Sequence, residues 1–141
     1  MTSLGELEVM CKNIPNFLGV FLANDIKSLK NKIVSLADCS LIVNYDDIND
    51  SITHSGHWVA FVKRNSKSYY FDSFGAPILH VIKDNLGIQN GVHGMDIKVD
   101  KLQIQSFSGE DKTYCGYYCY LYICLMNKGF NHKRILKTLD D

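Results

Sequence analysis

The segment His57 to Val62 reads His, Trp, Val, Ala, Phe, Val, with apolar side chains at both strand parities. A β-strand turns alternate residues to opposite faces, so a strand that is apolar at both parities has to be covered from both sides. One layer must then lie above a central sheet and another below it. Tyr69 to Phe71 is a second β-rich run, and the polar stretch Lys63 to Ser68 between the two reads as the loop of a hairpin.

Helical signals supply the layers. Cys115 to Lys128 is the most apolar stretch of the chain and exceeds a typical strand in length, so it reads as a helix buried nearly all round, with Asn127, Lys128 and Gly129 as its stop. Pro77 suits the first position of a helix carrying Ile78, Leu79, Val81, Ile82 and Leu86, with Gly87 to end it. Weaker helical patterns occupy residues 6–13, which Pro15 terminates, Lys27 to Leu36, where Leu29, Ile33 and Leu36 recur among lysines, and Lys133 to Leu139. Leu41 to Val43 reads as a strand, and Phe17 to Leu22 as a strand or a buried turn. Ile97 and Val99 share one parity while Leu102 and Ile104 share the other, which predicts a bulge near Asp100 and Lys101. The predicted class is α+β, a small and mainly antiparallel central sheet packed by helices. With 141 residues, the chain is read as a single domain over positions 1–141.

Charge and composition exclude several functions. Fifteen Lys and Arg balance fifteen Asp and Glu, which removes the main driving force for non-specific nucleic-acid binding. The longest apolar run, Tyr117 to Met126, reaches about half of the roughly 20 residues a membrane-spanning helix needs, so no membrane partner is expected. The first residues show no basic region followed by an apolar stretch, so a reducing, intracellular location is expected. The five cysteines, Cys11, Cys39, Cys115, Cys119 and Cys124, are odd in number and include no CxxC pair, which argues against a disulfide framework.

Cys115 falls where a polar loop becomes the buried helix, and there the helix's positive end favours a thiolate. A nucleophilic cysteine needs a base, and the base needs an acceptor that fixes its tautomer. His57 opens one strand of the hairpin and Asp72 closes the other, so antiparallel pairing brings both to the same end of the sheet. The backbone N–H of Cys115 and a side-chain amide would then make an oxyanion hole. Gln103 and Gln105 share one strand parity, and Gln105 is the nearer to the loop that leads to Cys115. A zinc site built from His54, His57, Cys115 and Cys119 is set aside, because structural zinc ligands come in pairs from tight turns and these cysteines belong to a helix. His54, His80, His93 and His132 are read as surface residues, and Cys119, Cys124 and the tyrosines of the buried helix as core.

Four ordered stretches carry a family resemblance. They are Gly56, His57, Trp58, Val59, Ala60, Phe61; Tyr70, Phe71, Asp72, Ser73, Phe74, Gly75; Gln105; and Cys115, Gly116, Tyr117, Tyr118, Cys119. In this order the chain resembles the adenain-like cysteine peptidases of the ubiquitin-like-protease superfamily, and Asn16 to Phe21 looks like the opening of viral members. The resemblance implies Cys115 as nucleophile, His57 as general base, Asp72 as its orienting partner and Gln105 as oxyanion donor, with Gln103 in reserve. It also implies Trp58 and Gly116 at the substrate cleft, with Trp58 walling it beside His57. The implied activity is that of a thiol endopeptidase with no cofactor, cleaving next to small residues, commonly glycine. Its protein substrates would be capsid or core precursors of a virus or virus-like element, in host cytoplasm, nucleus or virion. An isopeptidase acting on ubiquitin-like conjugates shares the same parts, and a catalytically silent binding module is the reading from another class. Adenain is stimulated by a disulfide-linked peptide and by DNA; no cysteine lies between Asp72 and Cys115 and the net charge is zero, so neither mode is carried over. A peptide activator stays among the partners that the resemblance admits.

Overall fold

A computed structural model describes residues 4–44, 57–73, 97–99 and 114–140. Helix α1 (Leu4–Cys11) leads into strand β1 (Phe17–Leu22), a 3-10 helix (Ala23–Leu29), α2 (Lys30–Ser35) and β2 (Cys39–Asn44). Then follow β3 (Trp58–Arg64), β4 (Lys67–Phe71), β5 (Ile97–Val99), α3 (Cys115–Asn127) and α4 (His132–Asp140). The five strands form one sheet in the order β1-β2-β3-β4-β5, which puts β3 at the centre.

Alternate residues of β3 feed two cores, as the apolar pattern at both parities requires. Trp58, Ala60 and Val62 pack with Ile42, Phe71, Leu7 and Cys11 of α1, and with Cys119, Tyr122, Ile123 and Met126 of α3. Val59 and Phe61 face the other way, onto Leu41, Val43 and Tyr70, covered by Ala23 and Ile26 of the 3-10 helix and Ile33 of α2. Two consecutive residues at the end of β3 then hold the layers down. Lys63 Nζ donates to the carbonyls of Ile33 and Val34 at 3.0 and 3.1 Å, closing the C-terminus of α2. Arg64, on the opposite face, donates through Nη1 to the carbonyls of Met126 and Phe130 at 3.0 and 2.8 Å, closing the C-terminus of α3. Gly129 ends α3 at φ 92°, with Phe130 N–H bonded to Leu125 O and Gly129 N–H to Met126 O, the two bonds of a Schellman turn.

Several expectations need correction. The sheet is mixed rather than mainly antiparallel: β2-β3 and β3-β4 are antiparallel, whereas β1-β2 and β4-β5 are parallel. Hairpin signals are local and legible, but the edge strands pair through longer connections that leave no turn signature. The loop read at Lys63 to Ser68 shrinks to the two residues Asn65 and Ser66, at φ 52° and 65°, because Lys63 and Ser68 are buried strand positions. The helix read over Lys27 to Leu36 splits into the 3-10 and α-helical pieces. The 3-10 period of three lines up Ala23, Ile26 and Leu29 on the core side. His132, read as a surface residue, is 6% exposed and bonds through Nδ1 to the Tyr122 hydroxyl at 2.7 Å, because α4 folds back onto α3. The helix expected after Pro77, the bulge near Asp100 and Lys101, and His54, His80 and His93 lie outside the described residues.

Gly19 is held at φ 142°, where the β1-β2 register shifts. A Cβ there would stand 2.9 Å from the Phe21 ring. Gly19→Ala is therefore expected to destabilise the fold by about 1–3 kcal/mol, read as a lower urea midpoint at unchanged m-value.

Candidate active site

The β3-β4 hairpin positions the first two groups. Its register pairs Ala60 with Phe71, so His57, just before β3, and Asp72, just after β4, meet at one end of the sheet. His57 Nε2 and Asp72 Oδ1 are 2.6 Å apart, with His57 7% and Asp72 3% exposed. A contact so short and dry is charge-assisted. The third group arrives on α3, whose first residue is Cys115, 2% exposed. Packing fixes the helix against the hairpin: the Phe71 and Tyr122 rings stack at 4.6 Å between centroids and 7° between planes. Phe71 immediately precedes Asp72, so this stack ties the position of the carboxylate to the helix that carries Cys115.

The sulfur meets two partners. The backbone N–H of Trp58 donates to Cys115 Sγ at 3.4 Å, and the His57 imidazole lies near enough to Cys115 for the two to interact electrostatically. Burial by itself lowers the His57 pKa. The bond to Asp72, its negative charge and the interaction with Cys115 outweigh it and hold the imidazole up at about 9. The neighbouring thiols behave differently. Burial pushes Cys11 up to about 12 and Cys119 well above the ordinary thiol range, so both stay neutral and act as small apolar side chains in the core. All five cysteines are free.

The structure thus brings together His57, Asp72 and Cys115. Gly116, the second residue of α3, is buried beside Cys115. Trp58 is 1% exposed and belongs to the core between β3 and α3, so among the described residues its contribution to the site is its backbone N–H. Gln105 and Gln103 lie outside the described residues. Cys124 is half-buried rather than core, and Tyr117 is 47% exposed, while Cys119 and Tyr122 are fully buried as expected. Sequence reasoning passed over the Trp58 N–H, a backbone group with no residue signature. It also passed over Asn44, a buried amide at the end of β2 that pairs with Trp58. Its signal was an Asn closing an apolar strand. Among the described residues, no group of three or more His, Cys, Asp or Glu side chains is arranged to hold a metal ion, and no helix is long and apolar enough to cross a membrane.

No protein-family model matches the chain, and no curated protein matches it in sequence. The chemistry of the site therefore rests on its own geometry. A carboxylate orients an imidazole, the imidazole lies beside a sulfur at a helix N-terminus, and a backbone amide donates to that sulfur from the strand.

The raised His57 pKa has a consequence for stability. A group near 6.5 when unfolded and about 9 when folded contributes stability that is complete below pH 6.5 and lost as the pH climbs towards 9. Urea unfolding of the wild type is expected to weaken over that interval, while His57→Gln shows a flatter profile.

Proposed function

We propose that this protein is a cysteine endopeptidase of the adenain-like type. The observation that carries the reading is the convergence of Cys115, at the first position of α3, with the buried His57 and Asp72 pair at 2.6 Å. The ordered resemblance of the His57, Asp72, Gln105 and Cys115 stretches supports it independently.

In this reading the proton of Cys115 resides on His57 at neutral pH, which a folded-state imidazole pKa of about 9 favours. Asp72 holds Nε2, so Nδ1 is the ring nitrogen that exchanges a proton with Sγ. The Cys115 thiolate attacks the scissile carbonyl and forms a carbon–sulfur bond, and the carbonyl electron pair moves onto oxygen. The backbone N–H of Cys115 and the Gln105 amide receive that charge. Collapse expels the amine, which takes the proton from the imidazolium and leaves an acyl-enzyme. His57 then accepts a proton from water as it attacks the thioester, and Cys115 is released as the thiolate. The site needs no metal or cofactor for any of these steps. The substrate is a polypeptide with a small residue, glycine first, beside the cleaved bond, and a capsid or core precursor of a virus or virus-like element is the biological class.

Activity is tested with internally quenched peptides carrying glycine at the cleavage site. Cys115→Ala should abolish turnover, and Asp72→Asn should lower kcat by about 10²-fold or more in a chain that stays folded, with a lower urea midpoint from the lost charge on the His57 pair. Wild-type kcat/KM should fall on an alkaline limb near pH 9 as the imidazolium that protonates the leaving amine is lost. Full activity in Cys115→Ala would overturn the mechanism.

A further inference from the structure

The site contains a donor that no side-chain motif encodes. Trp58 opens β3, and its main-chain N–H points at Cys115 Sγ, 3.4 Å away. The strand ladder explains how that N–H comes to the sulfur. Pairing of β3 with β4 stops at Ala60 and Phe71, before it reaches Trp58, and α3 brings Cys115 to the place where the ladder ends. A buried backbone N–H is a strong donor that loses free energy without a good acceptor, and a neutral thiol is a weak acceptor. A thiolate is a strong one, and the bond to it is charge-assisted. The pairing of a fully buried strand amide with the sulfur is therefore well matched only when the sulfur carries charge.

We propose that the backbone N–H of Trp58 holds the Cys115 thiolate, so that the sulfur is gripped from two sides, by the strand amide and by the His57 imidazolium. This inference rests on the reading of Cys115 as the nucleophile and deepens it. The donor fixes the sulfur's rotamer at the mouth of α3 and favours the ion pair in the free enzyme. Its bond is released as the sulfur loses charge to the acyl carbon. The Trp58 side chain serves a separate purpose, filling the core between β3 and α3. Among the described residues, the titratable groups near the sulfur are His57 and Asp72 from the hairpin ends and Cys119 from its own helix, with Cys11 of α1 behind Cys119. Both neighbouring thiols stay neutral, so the sheet end supplies the charges.

The test replaces Trp58 with its α-hydroxy analogue, indole-3-lactic acid, in the full chain, which exchanges the N–H for an ester oxygen and keeps the side chain. The rate of iodoacetamide alkylation at Cys115 is followed by mass spectrometry against pH. Below neutral pH the ester variant should label about tenfold more slowly than the wild type, with the midpoint displaced upward and the limiting rate at high pH unchanged. A profile that superimposes on an activated wild type overturns this inference and leaves the proposed function standing. A wild type in which Cys115 titrates as an ordinary thiol overturns both. Should the ester variant fail to fold, the unmodified chain decides by nuclear magnetic resonance. The Trp58 amide proton should move upfield in Cys115→Ala and titrate with the alkylation midpoint in the wild type, and an unmoved amide proton overturns the inference.

Discussion

Strand β3 is the constraint on which the rest of the molecule depends, because it is buried on both faces and committed at both ends. Its alternate side chains build two cores, one under α1, α3 and α4 and one under the 3-10 helix and α2. Neither core can be closed without the other, since each takes every second residue of the same apolar stretch, Trp58 to Val62. At its far end Lys63 and Arg64, consecutive and therefore on opposite faces, cap the C-termini of α2 and α3. At its near end the chain delivers His57 and the Trp58 N–H to the sulfur of Cys115. The helix that carries the candidate nucleophile is thus fixed to β3 at both of its ends, by Arg64 below and by the sulfur contacts above.

Burial sorts the cysteines by what surrounds them. Cys11, Cys39 and Cys119 sit in apolar cores where desolvation raises their pKa and keeps them as thiols. Cys115 is as buried as Cys39 but faces an imidazole oriented by a carboxylate, together with a strand amide. Low exposure strengthens these contacts, because water does not compete for the 2.6 Å bond between His57 and Asp72. The Phe71 and Tyr122 stack and the Tyr122 bond to His132 extend the same arrangement outward, so α4 buttresses the helix and hairpin that meet at the site.

Much of this was legible from local signals. Apolar residues at both parities of the His57 to Val62 stretch implied two covering layers, and the hairpin implied that His57 and Asp72 meet, since antiparallel pairing is a short-range consequence of sequence. The length and apolarity of Cys115 to Lys128 implied the buried helix. The parallel edges were not legible, because β1 and β5 reach their partners through long connections. Nor was the two-residue turn at Asn65 and Ser66, because the polar Lys63 and Ser68 disguise strand positions whose burial depends on α2 and the sheet. His132 looked exposed because its partner, Tyr122, belongs to another helix and is reached only when α4 packs back.

The sequence by itself determined the class of the fold, the hairpin, the core helix, and which histidine, acid and cysteine stand in order along the chain, because these follow from periodicity and from residue chemistry over short spans. Only the tertiary structure decided that the sheet is mixed, that Lys63 and Arg64 each close a helix on opposite faces, and that a strand amide at Trp58 is turned onto the sulfur of Cys115. Those outcomes depend on backbone directions and on contacts between segments far apart in the chain, and no single stretch of residues encodes where another stretch will place its carbonyls, its amides or its sulfur.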